Sequence, residues 1–367
     1  MAKVYYISGL KFELWGMGIQ KKIRNQMNEL EKNFGHCEYI FLENPKSKIT
    51  KYINKIVPYL SNVNYKKADL IDSGSIAYIR YVTIDYSFYT FIKRLNKKNV
   101  KILLEIPTYP YNKEVTSIIG KWQLLGESVY ISKLYKYIDR IITYSKDQLI
   151  FNIPTICISN GIDTKDMYQL SCSPIDSTVN MIAVASLAKW HGYDRVIKGI
   201  AEYYANGGKR NVVFHLVGDG YRILEQYKKD VRQLGIENHV IFYGKRTGSS
   251  LDDVYHKCTI AIDSLGRHRS GVIYNSSLKG KEYLLKGLPV VSGVKTELDY
   301  DLSFKYYLRV PADETAVDIN SIIKFFDYIY TSGRNRKEIQ EEIRMYAIKN
   351  FSYEVAFLPV IRYMKSI

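Results

Sequence analysis

The sequence predicts an α/β protein made of two successive doubly wound domains. Three observations lead there. Short apolar runs alternate with longer helical patterns, as in parallel sheets flanked by helices. The alternation restarts after a polar, aperiodic stretch at 163–178 that contains Pro174 and reads as an interdomain connection. A length of 367 residues is also enough for two cores of ordinary size.

In the first half the candidate strands are VYYIS (4–8), CEYIFL (37–42), ADLID (68–72), VKILLEI (100–106), RIITY (140–144) and TICIS (155–159). Helical patterns at 19–33 and 86–98 separate some of them, and a longer pattern crosses 113–138. The second half offers NMIAVA (180–185), VVFHLVG (212–218), VIFYG (240–244), TIAIDS (259–264), LPVVSG (288–293) and YYLRV (306–310). A last amphipathic helix covers 353–365. Two such domains imply a cleft between them, with ligands bound beyond the carboxyl ends of the strands.

Composition narrows the class. A hydrophobic fraction of 46% and a charged fraction of 25% are those of a globular protein. No apolar run reaches the length of a membrane-spanning helix, and MAKVYYISGL enters a strand without the core of a signal peptide. Cys37, Cys157, Cys172 and Cys258 have no metal-ligand spacing, so the expected setting is reduced and cytoplasmic. The formal charge is +16; residues 1–170 hold 25 Lys/Arg against 15 Asp/Glu, a net of +10, with clusters at 21–24, 46–55 and 97–101. Anionic lipid, phosphorylated substrates and nucleic acid all suit such an excess, as does a merely solvated surface. No helix-turn-helix, zinc or RNA-binding signature accompanies it, so nucleic acid is not an expected partner.

The stretch with the most chemistry is NSSLKGKEYLLKGLPVV (275–291). Ser276 and Ser277 open a helical run, Gly287 ends it, and Pro289 leads into a strand. Lys279 and Glu282 share a face three residues apart. A helix N-terminus favours anions, so an added ammonium and one fixed carboxylate suit a nucleoside diphosphate: amine to phosphate, carboxylate to ribose hydroxyls. An ordinary capped surface helix would read the same way. Cationic and glycine-rich loops follow the neighbouring strands: SLAKWHGYDR with Lys189, His191 and Arg195; HLVGDG with Gly218; GKRTGSS with Lys245 and Arg246; and SLGRHRSGVIYN with Tyr274 and Asn275 at its end.

Taken in order, SNGID, ASLAKWHGYDRVIKGI, HLVGDG, VIFYGK, KEYLLKGLPVV and the final FSYEVAFLPVIRYM resemble the large retaining family of group 1 glycosyltransferases. That family has the GT-B architecture of two Rossmann-like domains and includes many bacterial polysaccharide and capsule enzymes. The resemblance implies an N-terminal acceptor domain (1–165), a C-terminal nucleotide-sugar domain (166–350) and a closing helix (351–367) returning to the first domain. It also implies that Glu282 is the second Glu of the family's donor motif and binds ribose. Where the first Glu should stand, eight residues earlier, this chain has Tyr274; Tyr274, Asn275 and Ser276 then line the sugar pocket, or activity is lost. Ser186 and His191 fall where relatives place an Arg and a Lys. Lys279, with Arg195 or Lys189, is the expected replacement near the diphosphate, with Ser276 and Ser277 N–H groups beside it. His191 is either a donor to phosphate or sugar, or a histidine packed on Trp190.

In the first domain, GLKFELWGMGIQKKI resembles the family's glycine loop through Gly16 and Gly18, or is a plain turn before a helix. Glu105 in EIPTYPYNKE is expected either to act on acceptor hydroxyls, as a contact or a base beside Thr108 and Tyr109, or to be a structural carboxylate before a proline turn. Asp299-Tyr300-Asp301 spells a metal motif of another glycosyltransferase architecture but follows the wrong part of the sheet. The expected activity is hexosyl transfer with retention from a nucleotide sugar, a UDP-sugar, to a glycan or lipid-linked oligosaccharide in surface polysaccharide synthesis. Neither cofactor nor metal is expected, and docking on the inner face of the plasma membrane would suit the basic first half. The alternative is an inactive, sugar-binding relative.

Overall fold

The computed structural model describes residues 2–10, 18–42, 65–82, 84–115, 117–164, 177–331 and 333–367. It divides into two compact units, Met1–Gly161 with Tyr353–Ile367, and Ile162–Ser352.

The first unit holds strands β1 (Val4–Ser8), β2 (Cys37–Phe41), β3 (Ile76–Arg80), β4 (Lys101–Ile106), β5 (Arg140–Thr143), β6 (Leu149–Ile150) and β7 (Ile153–Cys157) in the order β2-β1-β3-β4-β5-β7-β6. All pairings are parallel except the β6–β7 hairpin. Its helices are α1 (Gly18–Phe34), α2 (Tyr86–Lys97) and α3 (Ile118–Leu134). Strand alternation assigns the two cores. Tyr5, Ile7, Ala77, Ile79, Ile102 and Leu104 pack with Phe88, Phe91 and Leu95 of α2 and with Ile131 and Leu134 of α3. Val4, Tyr6, Tyr78, Leu103 and Ile142 pack with Ile23 and Leu30 of α1 and with Phe357, Val360, Ile361 and Met364 of the closing helix. That helix also binds α1 at the surface, through Lys32–Glu354 at 3.0 Å and Lys365–Asn33 at 2.8 Å.

One expected strand is corrected. ADLID is not β3: Tyr65–Leu70 forms a 3₁₀ turn, and the strand is IAYIR, buried at all five positions between β1 and β4. A central parallel strand is covered on both faces and reads as an apolar run with little alternation. The long pattern at 113–138 resolves into a 3₁₀ turn at Asn112–Glu114 followed by α3.

The second unit is an all-parallel sheet of β8 (Val179–Ser186), β9 (Val212–Asp219), β10 (Val240–Gly244), β11 (Ile260–Ile262), β12 (Val290–Ser292) and β13 (Tyr307–Arg309). Their order is β10-β9-β8-β11-β12-β13. Among the described residues six α-helices accompany it: α4 (Asp194–Ala205), α5 (Tyr221–Gln233), α6 (Ser249–Lys257), α7 (Leu278–Leu285), α8 (Ile319–Tyr330) and α9 (Arg336–Phe351). The closing helix is α10 (Tyr353–Lys365). The strand order reverses between β8 and β11, which makes the loops after those two strands the walls of the ligand crevice of this fold.

Candidate active site

The loops at that switch point are held close by glycine. Gly192 has φ of 67°, and a Cβ on it would meet the backbone N of Gly266 at 2.5 Å. The loop after β8 therefore lies directly against the loop after β11. The Leu265 N–H donates to the His191 carbonyl at 2.7 Å across the same seam. Gly218 is explained by packing of strand against strand: its φ is 139°, and a Cβ would fall 1.7 Å from the Ala185 carbonyl oxygen.

The start of α7 sits beside this seam. Ser277 is its N-cap, accepting the Gly280 N–H at 3.2 Å and donating to Asp263 Oδ1 at 2.8 Å. Asp263 is buried at the carboxyl end of β11, so one carboxylate locks the helix start onto the sheet. Lys279 is half-buried and Glu282 exposed. Burial lowers the Lys279 ammonium to about 8, with Asp263 opposing the drop and Arg267 adding to it. Lys281, on another face, is committed to Glu297 at 2.5 Å.

His191 is buried, stacked on Tyr193, and accepts the Ala188 N–H at Nδ1. Its ring proton is therefore on Nε2. Burial, and then the charges of Lys279 and Arg267, lower its pKa to about 2. The imidazole is a neutral donor at any physiological pH. His191 thus lies within electrostatic reach of Lys279 and Arg267, and Lys279 within reach of Arg267. Arg267, from the 3₁₀ turn after β11, is the residue that the sequence reading passed over; its guanidinium lies 5.9 Å from the Trp190 ring. Its neighbour Arg269 pairs with Asp194, at 2.9 and 2.7 Å, and with Glu314 at 2.6 Å.

Tyr274 is buried, bridges Lys295 through its backbone and lies 6.1 Å from the Tyr300 ring. Asn275 donates its N–H to the Lys295 carbonyl at 2.9 Å. The buried Ser276 hydrogen-bonds Glu297. Lys189 is exposed, as are Lys245 and Arg246; the last two follow edge strand β10, which β9 and β8 separate from β11.

Two expected catalytic residues are corrected. Arg195 is fully buried, and its guanidinium donates to the carbonyls of Thr315 (2.7 Å), Leu265 (2.6 Å) and Pro311 (2.9 Å) and to Asp313 Oδ1 (3.2 Å). Those acceptors account for its fork, so it ties loops together and is not set out for phosphate. Glu105 is likewise fully buried. Arg80 contacts it at 2.6 Å, Lys22 at 3.2 Å and the Tyr78 hydroxyl at 2.6 Å; Gln26 and Tyr144 also donate to it. Burial pushes its carboxyl up, but Lys22 and Arg80 outweigh that and hold it at about 2. Such a carboxylate is too weak a base for acceptor activation. In the glycine loop, Gly18 is the exposed first residue of α1. Gly16 and the basic stretch 46–55 lie outside the described residues.

Residues 178–298 match the family described as glycosyl transferases group 1. The matched segment contains the switch-point loops, Lys279 and Glu282. No curated protein matches the chain. Among solved structures, sucrose-phosphate synthase from Thermosynechococcus elongatus aligns with a TM-score of 0.67 at 15% identity, covering 100% of this chain and 99% of that one. HepE from Anabaena, solved with UDP-glucose, aligns at 0.65 and 14% identity over 100% of both chains. A glycosyltransferase from Rickettsia africae ESF-5 aligns at 0.64 and 15%, over 100% and 98%. At such identities the likeness is one of fold, that of two-domain GT-B glycosyltransferases.

Proposed function

We propose that this chain transfers a hexosyl group from a UDP-sugar, with retention, to a glycan or lipid-linked oligosaccharide acceptor in surface polysaccharide synthesis. The observation that carries the reading is the α7 start at the sheet's switch point. There Lys279 and Glu282 share a helix face, Ser277 is locked to Asp263, and Arg267 and His191 lie within electrostatic reach of Lys279. The choice of UDP draws support from HepE, whose structures hold UDP and UDP-glucose.

In this reading Glu282 accepts hydrogen bonds from the ribose hydroxyls. Lys279, Arg267 and the N–H groups at the helix start face the diphosphate. As the anomeric C–O bond breaks, negative charge grows on the β-phosphate, and these fixed groups stabilise it without needing a divalent ion. The departing phosphate takes the acceptor hydroxyl's proton on the face it leaves, which preserves configuration and requires no carboxylate pair. His191 supplies a neutral N–H to phosphate or sugar. Tyr274, in place of the family's first Glu, shapes the sugar pocket with Asn275 and Ser276.

The setting is the cytoplasmic side of a membrane, where the basic first unit meets anionic lipid. No described helix is long and apolar enough to cross a membrane.

Calorimetric titration with UDP, GDP and ADP tests the donor site. UDP should bind selectively, and Glu282→Ala should weaken it by roughly tenfold or more, the worth of charge-assisted hydrogen bonds. Absence of nucleotide binding to the folded protein would instead support an inactive relative.

A further inference from the structure

A recess between α3 and the loop after β4 holds a buried carboxylate in its wall. It encloses about 510 Å³, a volume in the range of small-molecule sites. Glu127 of α3, only 4% exposed, lines it with Tyr109, Tyr111, Leu124, Ile131 and Phe151. The Tyr81 hydroxyl donates to Glu127 Oε2 at 2.7 Å, the Tyr111 hydroxyl donates to Oε1, and the Ile84 N–H is a third donor. Among the described residues no lysine or arginine acts on this carboxylate; Lys121 stands at the exposed rim. Burial raises its pKa, and the hydrogen bonds offset only part of the rise. Glu105, buried in the same unit, is by contrast matched by two cations. A buried carboxylate without a cation is costly, and in a recess it marks a candidate site.

Three half-buried aromatic rings share the wall with it. Phe151 lies 5.8 Å from Tyr109 and 6.5 Å from Tyr111, which is 5.2 Å from Tyr81. Phe151 occupies the first position of the two-residue turn between β6 and β7, with a φ of 52°. Glycine or asparagine is the usual residue at that left-handed position. A phenylalanine there strains the backbone and sets a ring in the recess.

We propose that this recess binds a small organic cation, an alkylammonium group held between the rings of Tyr109, Tyr111 and Phe151 and the Glu127 carboxylate. Aromatic faces attract ammonium groups, most strongly where water is excluded. A carboxylate in a low-dielectric wall supplies the fixed countercharge. A neutral sugar could use the same rings and the same carboxylate, but it would leave the buried charge uncompensated. The site uses residues of the first unit only and does not rest on the UDP-sugar reading.

The test is calorimetric titration of the full chain with choline and ethanolamine, beside the neutral tert-butyl analogue of choline and methyl glucoside. At least one of the two cations should bind, and roughly tenfold more tightly than either neutral compound. Glu127→Gln keeps the shape and an acceptor for the tyrosine hydroxyls. It should weaken the cation by roughly tenfold or more, while the melting temperature holds or rises. Tyr109→Leu keeps apolar volume without a π face and should weaken the cation by roughly threefold or more. If Glu127→Gln does not fold, Tyr109→Leu decides, because Tyr109 is only half-buried. Binding of the neutral analogue as tight as that of choline, or cation binding that neither variant weakens, would overturn the site. Binding of methyl glucoside in preference to both cations would overturn the ligand class and make the recess a saccharide site. No binding of any of the four would overturn the proposal outright. UDP titration of the same variants should be unchanged, and it judges the donor reading by itself.

Discussion

At the scale of single residues, the environment reverses what a residue type suggests. Glu105 follows a strand and precedes a proline turn, a place where a carboxylate can serve catalysis, yet two buried cations hold it anionic. Only the fold brings Lys22, Arg80 and Glu105 together, so sequence spacing could not show it. Its folded pKa of about 2 lies below the ordinary 4.5. Its stabilising contribution is therefore complete above pH 4.5 and lost as pH falls from there toward 2. Glu105→Gln should cost about 3–5 kcal/mol at neutral pH, because it strands buried charge. It should also flatten that acid limb. Urea unfolding across pH reads both, and unchanged stability at neutral pH would refute the account. Lys279 predicts the opposite limb. With its ammonium lowered to about 8, it begins to discharge near pH 8. The kcat/KM for the donor, which reports the free enzyme, should then decline above that point. Lys279→Arg should flatten the decline, since a guanidinium stays protonated. Lys279→Ala should lower kcat by roughly 10²–10³, the cost of one oxyanion donor.

At the scale of elements, what the sequence shows is the ends of helices and the carboxyl ends of strands. Ser277 as cap, Gly287 as terminator and the strand after Pro289 could all be read directly, because capping is local chemistry. The role of Arg195 could not. Its position next to the start of α4 suggests anion binding, but its partners are carbonyls of Leu265, Pro311 and Thr315, far away in sequence. The two roles predict different phenotypes. A phosphate ligand would lose turnover on substitution and keep its melting temperature. A strut would lose stability first. Arg195→Ala should destabilise the protein by about 3 kcal/mol or more, since each charge-assisted bond is worth about 1.5–3 kcal/mol and three carbonyls are left without it. A thermal melt beside a donor titration distinguishes the two. Strand β3 was missed for a related reason: IAYIR is buried on both faces, whereas ADLID offered local alternation without a place in the sheet.

At the scale of the molecule, two successive sheets were foreseeable from the restart of the apolar pattern, and the use of the last helix came only with the resemblance. Nothing in the composition of Tyr353–Lys365 says which core it completes. The structure shows that it belongs to the first unit, although its chain neighbours α9 and the rest of Ile162–Ser352 form the second. Phe357, Val360, Ile361 and Met364 are each at most 4% exposed, between α1 and the first sheet. Burying a side chain of this size is worth about 1.5–3 kcal/mol. Four of them amount to a large share of the roughly 5–15 kcal/mol by which a domain is stable. The second unit has its own core, with no residue from α10. Truncation after Ser352 should therefore unfold the first unit selectively. In calorimetry the transition of the first unit should fall or vanish while that of the second persists. If UDP sits against residues of 178–298, as proposed above, its binding should survive the truncation. Loss of both transitions together would mean that the two units fold as one cooperative body, and the helix would then be a support for the whole chain.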